Sequence, residues 1–315
     1  MRAGWIFVGA LALAAAGIAR DATTPDWRWL FPIADPAPAP GAEDRATVRL
    51  PGSARTFPAA QLHDMQHAVD WYPNEHPATP GIVAAGHGAA NACGFCHLPD
   101  GNGRPENAAL AGLPADYIKR QVQAFATGTR RPVLPNATPS TLMAATARAA
   151  TPAEIDQAAA YFSKLRYTPH VRVVEAAAIA FRPGRFVYLP GAGAKQPIGD
   201  RVIEVPDDSV RFEQRDAHVG YTAYVSPGAI ARGRAIALSG GTGGQSSTLC
   251  HGSRLQGGIA PPLAGRSPTM LVRQLAGFAT GARYDAAAAP MRALAAKLKQ
   301  REIVDVAAFA ATLRP

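Results

Sequence analysis

At 315 residues, 48% of them hydrophobic, the chain is long enough for two domains with packed cores. Lys and Arg outnumber Asp and Glu by 32 to 23, a formal charge of +9. With no dense Lys/Arg run, no nucleic-acid motif and only 7% aromatic residues, that balance argues against nucleic acid and leaves an anionic membrane or an acidic protein as the partner. The three cysteines, Cys93, Cys96 and Cys250, are odd in number and exclude a full disulfide framework.

Arg2 and the apolar run from Trp5 to Ile18, ending in the small residues Gly17 and Ala19, predict a signal peptide over residues 1–19. The alternative is an uncleaved anchor helix that associates with a membrane through residues 3–19. Either reading puts the rest of the chain outside the cytoplasm, as a periplasmic protein that is soluble or tethered to the inner membrane. Residues 20–79 form an irregular extension. Trp27, Trp29, Leu30 and Phe31 are expected to dock on the domain, with a membrane interface as the alternative, and Ala34–Pro40 reads as a polyproline-like tether. Residues 58–72 read as a short helix. There His63 and His67 have the spacing to share a metal but lack a third ligand, so a solvated or packed face is expected.

A first helical unit spans 80–166. It starts with a helix carrying Ile82, Val83, Gly86 and Ala90 and leads into Cys93-Gly94-Phe95-Cys96-His97. Two thiols three apart on one helical turn, with histidine next to the second, read as a c-type haem attachment site. Cys93 and Cys96 would form the thioethers, and His97 would face the iron. A thiol–disulfide role for the same pair needs a βαβ setting, and the local pattern is helix and loop. A helix from Pro114 to Phe125 follows, then a Pro-containing loop over 129–142. A last helix runs from Pro152 to Leu165, capped by Thr151 with Glu154 in its first turn.

Residues 167–227 change character. Val171–Val174, Phe186–Leu189, Val202–Val205 and Tyr221–Val225 are strand-like runs punctuated by Gly and Pro. They predict a small β-rich connector without a cluster of catalytic groups.

Residues 228–315 repeat the first unit. Leu263-Ala-Gly265, Arg273-Gln274, Phe278-Ala-Thr-Gly281 and Arg283 align without a gap with Leu110-Ala-Gly112, Arg120-Gln121, Phe125-Ala-Thr-Gly128 and Arg130. The second attachment site falls on Ser247-Thr248-Leu249-Cys250-His251, where serine holds the place of the first cysteine. A hydroxyl does not make a thioether. The second haem is therefore expected to hang on a single bond through Cys250, with loss of that haem as the alternative. Electron-transfer haems often pair His with Met across the iron. Met143 and Met291 occupy matching positions before matching terminal helices, whereas Met270 aligns with Tyr117 inside a helix and reads as core.

The order of helix, Cys-x-x-Cys-His, loop, helix, Pro-containing loop, Met and terminal helix resembles class I cytochrome c. Its doubling resembles bacterial two-haem cytochromes c. The resemblance covers roughly 80–165 and 228–315. It implies a mainly α fold of two tandem class I cytochrome c-like helical domains joined by the β-rich connector. It further implies haem c in each unit, axial iron ligands His97 with Met143 and His251 with Met291, and no catalytic residue. The expected role is an electron carrier, not an enzyme, working by outer-sphere transfer between redox proteins of the respiratory chain or a dehydrogenase. The alternative is a haem enzyme, or a cytochrome subunit of a membrane dehydrogenase, with an open site at the second haem. Arg120, Arg130, Arg131, Arg273 and Arg283 are candidates for steering an acidic partner.

Overall fold

The structure is a computed structural model that describes residues 25–33, 46–135 and 137–315. The expected signal peptide or anchor, and the tether Ala34–Pro40, lie outside the described residues.

The described residues open with a 3-10 turn, Arg28–Leu30, and include a hairpin of β1 (Thr47–Arg49) and β2 (Thr56–Pro58), with Val48 opposite Phe57. The short helix expected over 58–72 is only a 3-10 turn, Ala59–His63. His63 is exposed, and His67 Nδ1 lies 2.6 Å from Asp64 Oδ2. Among the described residues no group of three or more His, Cys, Asp or Glu is placed to hold a metal ion.

Unit 1 contains α1 (Gly81–Ala84), α2 (Cys93–His97), α3 (Ala115–Ala126), α4 (Thr138–Ala149) and α5 (Pro152–Lys164). Two expectations change. The first helix stops at Ala84. A Cβ on Gly86 would meet Ala90 O at 2.2 Å, so the chain turns tightly there. Residues 138–142, expected as loop, belong to α4: Pro139 sits in its first turn, where a missing N–H costs nothing, and an Ala-rich stretch carries the helix on. The cap of α5 is the expected one, with Thr151 N–H donating to Glu154 Oε2 at 2.8 Å and Glu154 N–H donating to Thr151 Oγ1 at 3.3 Å. Ile82, Val83, Leu113, Ile118, Phe162 and Leu165 form the core of this unit.

The connector holds β3 (Val171–Glu175), β4 (Ala178–Ile179), β5 (Phe181–Pro183), β6 (Tyr188–Pro190), β7 (Gln196–Pro197), β8 (Ile203–Pro206), α6 (Ser209–Glu213) and β9 (Tyr221–Val225). Its central sheet has the order β3-β9-β8, parallel between β3 and β9 and antiparallel between β9 and β8. The β4–β7 and β5–β6 pairs are antiparallel ribbons.

Unit 2 contains α7 (Ala229–Ser239), α8 (Thr248–His251), α9 (Pro268–Ala279), α10 (Ala289–Ala295) and α11 (Gln300–Thr312). α7 and α11 cross so closely that a Cβ on Gly233 would stand 1.9 Å from Asp305 O. Beside that crossing Arg232 pairs with Asp305 at 2.6 Å. The core of unit 2 is not its own alone. Val272, Ile303 and Val304 pack with Val202, Ala223 and Val225 of the connector and with Trp27, Leu30 and Phe31 of the extension. The aromatic cluster at the amino side thus docks on the protein, on unit 2 and the connector. The described residues are mainly α, as two helical units that repeat one arrangement with a β-rich connector between them.

Candidate functional site

One cavity of about 2020 Å³ runs through both helical units. Cys93, Cys96, His97 and Met143 line it from unit 1, and Ser247, Cys250, His251 and Met291 from unit 2. The two halves are built alike. His97 closes α2 and its Nδ1 lies 2.7 Å from Ala108 O; His251 closes α8 and its Nδ1 lies 2.7 Å from Pro261 O. A carbonyl only accepts, so each Nδ1 carries the hydrogen and each Nε2 keeps its lone pair. This outer hydrogen bond is the one that orients a metal-binding imidazole. Burial lowers the pKa of both rings, which favours the neutral form that binds metal.

The backbone repeats too. Leu98 after the first histidine has φ 61 and ψ 152, and Gly252 after the second has φ 85 and ψ 157. That region is ordinarily open to glycine alone, so Leu98 is strained and is held by burial of its side chain. A Cβ on Gly94 would meet Val83 O at 2.7 Å, so only glycine lets α2 sit against α1.

Cys93 and Cys96 lie three apart on α2 and share a face. Burial pushes the Cys93 thiol up to about 12 and raises that of Cys96. Thiols so protonated are poor nucleophiles for disulfide exchange, and α2 does not follow a strand. Ser247 precedes α8 with helical φ and ψ, and its carbonyl accepts from His251 N–H at 3.0 Å. It therefore stands to Cys250 as Cys93 stands to Cys96, with a hydroxyl where the first thiol would be.

Met143 lies within α4 and Met291 within α10; each helix has a proline in its first turn, and each methionine is half-buried. Neither is in a loop. Two further methionines line the cavity. Met270, read from the sequence as core, accepts from Gln274 Nε2 through Sδ at 3.1 Å. Met65 belongs to the extension, outside the repeat, so no repeat signal pointed to it.

Of the five arginines considered for steering, only Arg120 and Arg131 are exposed. Arg273 is buried, with Nε and Nη1 hydrogen-bonded to Leu30 O at 3.0 Å and Pro105 O at 3.1 Å. Arg130 and Arg283 meet across the junction of the units. Arg130 donates to Gln121 Oε1 at 2.7 Å and Gln274 Oε1 at 2.6 Å; Arg283 donates to Gln274 Oε1 at 3.0 Å and Gln121 Oε1 at 2.7 Å. Main-chain bonds flank them, Arg131 N–H to Ala282 O at 2.7 Å and Tyr284 N–H to Thr129 O at 2.9 Å. The pairing is a local two-fold between the repeats. Desolvation, then the charge of Arg283, holds the Arg130 guanidinium down to about 9. Arg266, which aligns with apolar Leu113, also reaches from unit 2 into unit 1, donating to Ala109 O at 2.9 Å and Ala111 O at 3.0 Å. No repeat signal marked it.

These residues fit haem c. The cavity walls offer two clamped imidazoles, thiols beside them and half-buried methionine sulfurs. Arg266 and Arg283 also line the cavity, each with a buried Nε that lacks a hydrogen-bond partner. Such a surplus of buried cation suits a group with an apolar body and anionic propionates.

No protein-family model matches the chain. Over 236 residues it is 28% identical to cytochrome c4 of Azotobacter vinelandii, covering 73% of this chain and 88% of that protein. Among solved structures it resembles cytochrome c4 of Acidithiobacillus ferrooxidans, with 21% identity and TM-score 0.45 over 70% of this chain and 98% of the other. It also resembles the thiosulfate dehydrogenase of Marichromatium purpuratum, with 26% identity and TM-score 0.46, but spans only 37% of that longer chain against 71% of its own.

Proposed function

We propose that this chain, a tandem class I cytochrome c homologous to cytochrome c4, carries electrons between redox proteins through two haem c groups, one in each helical unit. The observation that carries the reading is the repeated histidine clamp on the wall of one shared cavity, beside Cys93 and Cys96 in one unit and Cys250 in the other. When bound, haem c supplies a one-electron iron couple. The residues of the chain do the rest. His97 and His251 would each hold the iron through a neutral Nε2. Met143 and Met291 would add a thioether sulfur, which raises the potential. Cys93 and Cys96 would tie the first macrocycle by two thioethers; Cys250 would tie the second by one. Gln121 and Gln274 hold Arg130 and Arg283 between the units on the cavity wall, where the guanidiniums would offset the charge of haem propionates. With a histidine and a methionine both committed to each iron, substrate would find no site there and transfer would be outer-sphere. The cysteine and histidine pattern and the amino-terminal apolar run support work outside the cytoplasm, in the periplasm. Among the described residues no helix is long and apolar enough to cross a membrane.

The intact mass of the purified protein tests the stoichiometry, with two haems expected per chain. A pyridine haemochrome spectrum tests the bonds, with one site of the two-thioether type and one of the single-thioether type expected. In the oxidised protein a methionine-to-iron charge-transfer band should account for both irons, halve in Met143→Ala and halve in Met291→Ala. A band accounting for one iron in the unaltered protein overturns the closed-site reading in favour of a haem enzyme with an open second site.

A further inference from the structure

The two attachment faces are alike in sequence position and unlike in cover. Counting from the paired histidines His97 and His251, Phe95 matches Leu249 and Pro105 matches Ile259. In unit 1 both positions are buried. The connector lays Arg215 over the Phe95 ring at 3.6 Å, and its guanidinium also donates to Phe95 O. The neighbouring Arg104 stacks over Phe212 of α6 at 3.8 Å and donates to its carbonyl at 3.2 Å. The extension clamps this lid in turn. Trp71 Nε1–H donates to Gln214 O at 2.8 Å, Tyr72 Oη–H to Asp216 Oδ1 at 3.1 Å, and the Tyr72 ring stacks on His218 at 3.7 Å.

Unit 2 has no such lid among the described residues. Leu249 is 67% exposed and Ile259 is 91% exposed. They are neighbours, because Ala260 N–H donates to Cys250 O at 3.0 Å and so folds the Ile259 loop onto α8. The end of α7, with exposed Leu238, joins them through Ser247 N–H to Ala237 O at 2.9 Å. Bulky apolar side chains left open around one attachment helix are the makings of an interface core. The segment that carries the patch is basic: from Ala217 to Tyr284 the chain has no Asp or Glu, while Arg234 and Arg254 are exposed; an acidic group comes near just beyond the end of α7, where Thr242 N–H donates to Glu302 Oε1 at 3.0 Å.

We infer that the Leu249–Ile259 face of unit 2 is the docking surface for an acidic redox protein with an apolar contact patch, and that the extension and connector close the matching face of unit 1. Electrons then enter and leave through the unit held by Cys250. The apolar pair excludes water at the contact, and the exposed Arg234 and Arg254 draw the partner in. The inference rests on the electron-carrier reading.

The test uses the loaded protein, fully reduced, in stopped flow against two oxidants: plastocyanin as an acidic copper protein, and neutral p-benzoquinone. In the double variant Leu249→Glu, Ile259→Glu the rate with plastocyanin should fall at least tenfold while the rate with benzoquinone stays within about twofold. Val210→Glu, which alters an exposed apolar residue of the connector, should leave both rates within twofold. Leu249→Ser with Ile259→Ser serves if the charged pair fails to load haem, with a smaller drop in the plastocyanin rate expected. A plastocyanin rate unchanged in the patch variants, or lowered equally by Val210→Glu, overturns the inference. A patch-dependent dimer in sedimentation, with an unchanged plastocyanin rate, overturns it in favour of a second copy as occupant. If the unaltered protein does not exchange electrons with benzoquinone, the carrier reading falls and this one with it; normal exchange with an indifferent patch defeats this one alone.

Discussion

Two amides sit at the centre of the junction of the two units, and Gln274→Leu tests their contribution. Gln274 Oε1 accepts from Arg130 at 2.6 Å and from Arg283 at 3.0 Å, so the substitution removes two bonds to charged donors at once. Hydrogen bonds to charged groups contribute roughly 1.5–3 kcal/mol each, and an unsatisfied buried guanidinium is costlier than a lost neutral bond. Arg130 is half-buried and recruits water, which brings the expected loss to about 3 kcal/mol rather than the full sum. With a urea slope of about 3 kcal/mol/M, the midpoint should fall by about 1 M. The assay follows unfolding of the loaded protein by far-UV circular dichroism and by the haem absorption of each unit. The loss should come with separation of one transition into two, because the shorter of the two bonds, from Arg130, joins the units, while that from Arg283 lies within unit 2. Gln121→Leu should act alike. The double variant should lose clearly less than the two singles added, since both amides serve the same two guanidiniums. A midpoint shift under about 0.2 M, or strict additivity, would refute the view that this cluster couples the units.

Ser247→Cys should restore the first thioether of unit 2, and the pyridine haemochrome spectrum should then report two sites of the two-thioether type; an unchanged spectrum with both haems present would show that position 247 does not face the macrocycle. Gly233→Ala forces a Cβ to 1.9 Å from Asp305 O. It should cost about 3 kcal/mol or more by prising α7 from α11, lowering Tm by about 6 °C or more on calorimetry; a neutral outcome would show that the crossing is slack. His76 faces Asp70 at 3.3 Å and Tyr161 Oη at 3.0 Å, and the hydrogen bond to Asp70, foremost, raises its pKa above the ordinary value. A raised folded value means that its stabilisation is complete below about pH 6.5 and fades as pH rises through the folded value. The stability gap between the unaltered protein and His76→Gln should thus narrow from pH 6 to pH 8, and a gap that widens would reverse the assignment.

Much of the candidate site could be read without coordinates. Cys-x-x-Cys-His needs only one helical turn to bring two thiols and an imidazole to one side, so its chemistry is local. The gapless repeat from Leu110 and Leu263 onward carried that reading to Cys250 and His251, and the alternating strand runs marked the connector. The aligned methionines were picked out, but not their setting, since helix initiation at Pro139 and Pro290 looks from sequence like a loop. The carbonyls that clamp the histidines were not legible either, because backbone acceptors at Ala108 and Pro261 carry no side-chain signature.

Residue types suited to haem, the duplication, and the serine at position 247 where the repeat predicts a thiol are legible in the chain itself. Only the tertiary structure decided which arginines are solvent-facing and which are sealed between the units, since burial depends on what the other repeat brings opposite. It alone decided that the connector, unremarkable as a string of short strands, folds Arg215 over Phe95 while the matching Leu249 stays open. The physical reason is that motif chemistry is fixed over one turn of helix, whereas cover and access depend on contacts between segments more than a hundred residues apart, as between Phe95 and Arg215.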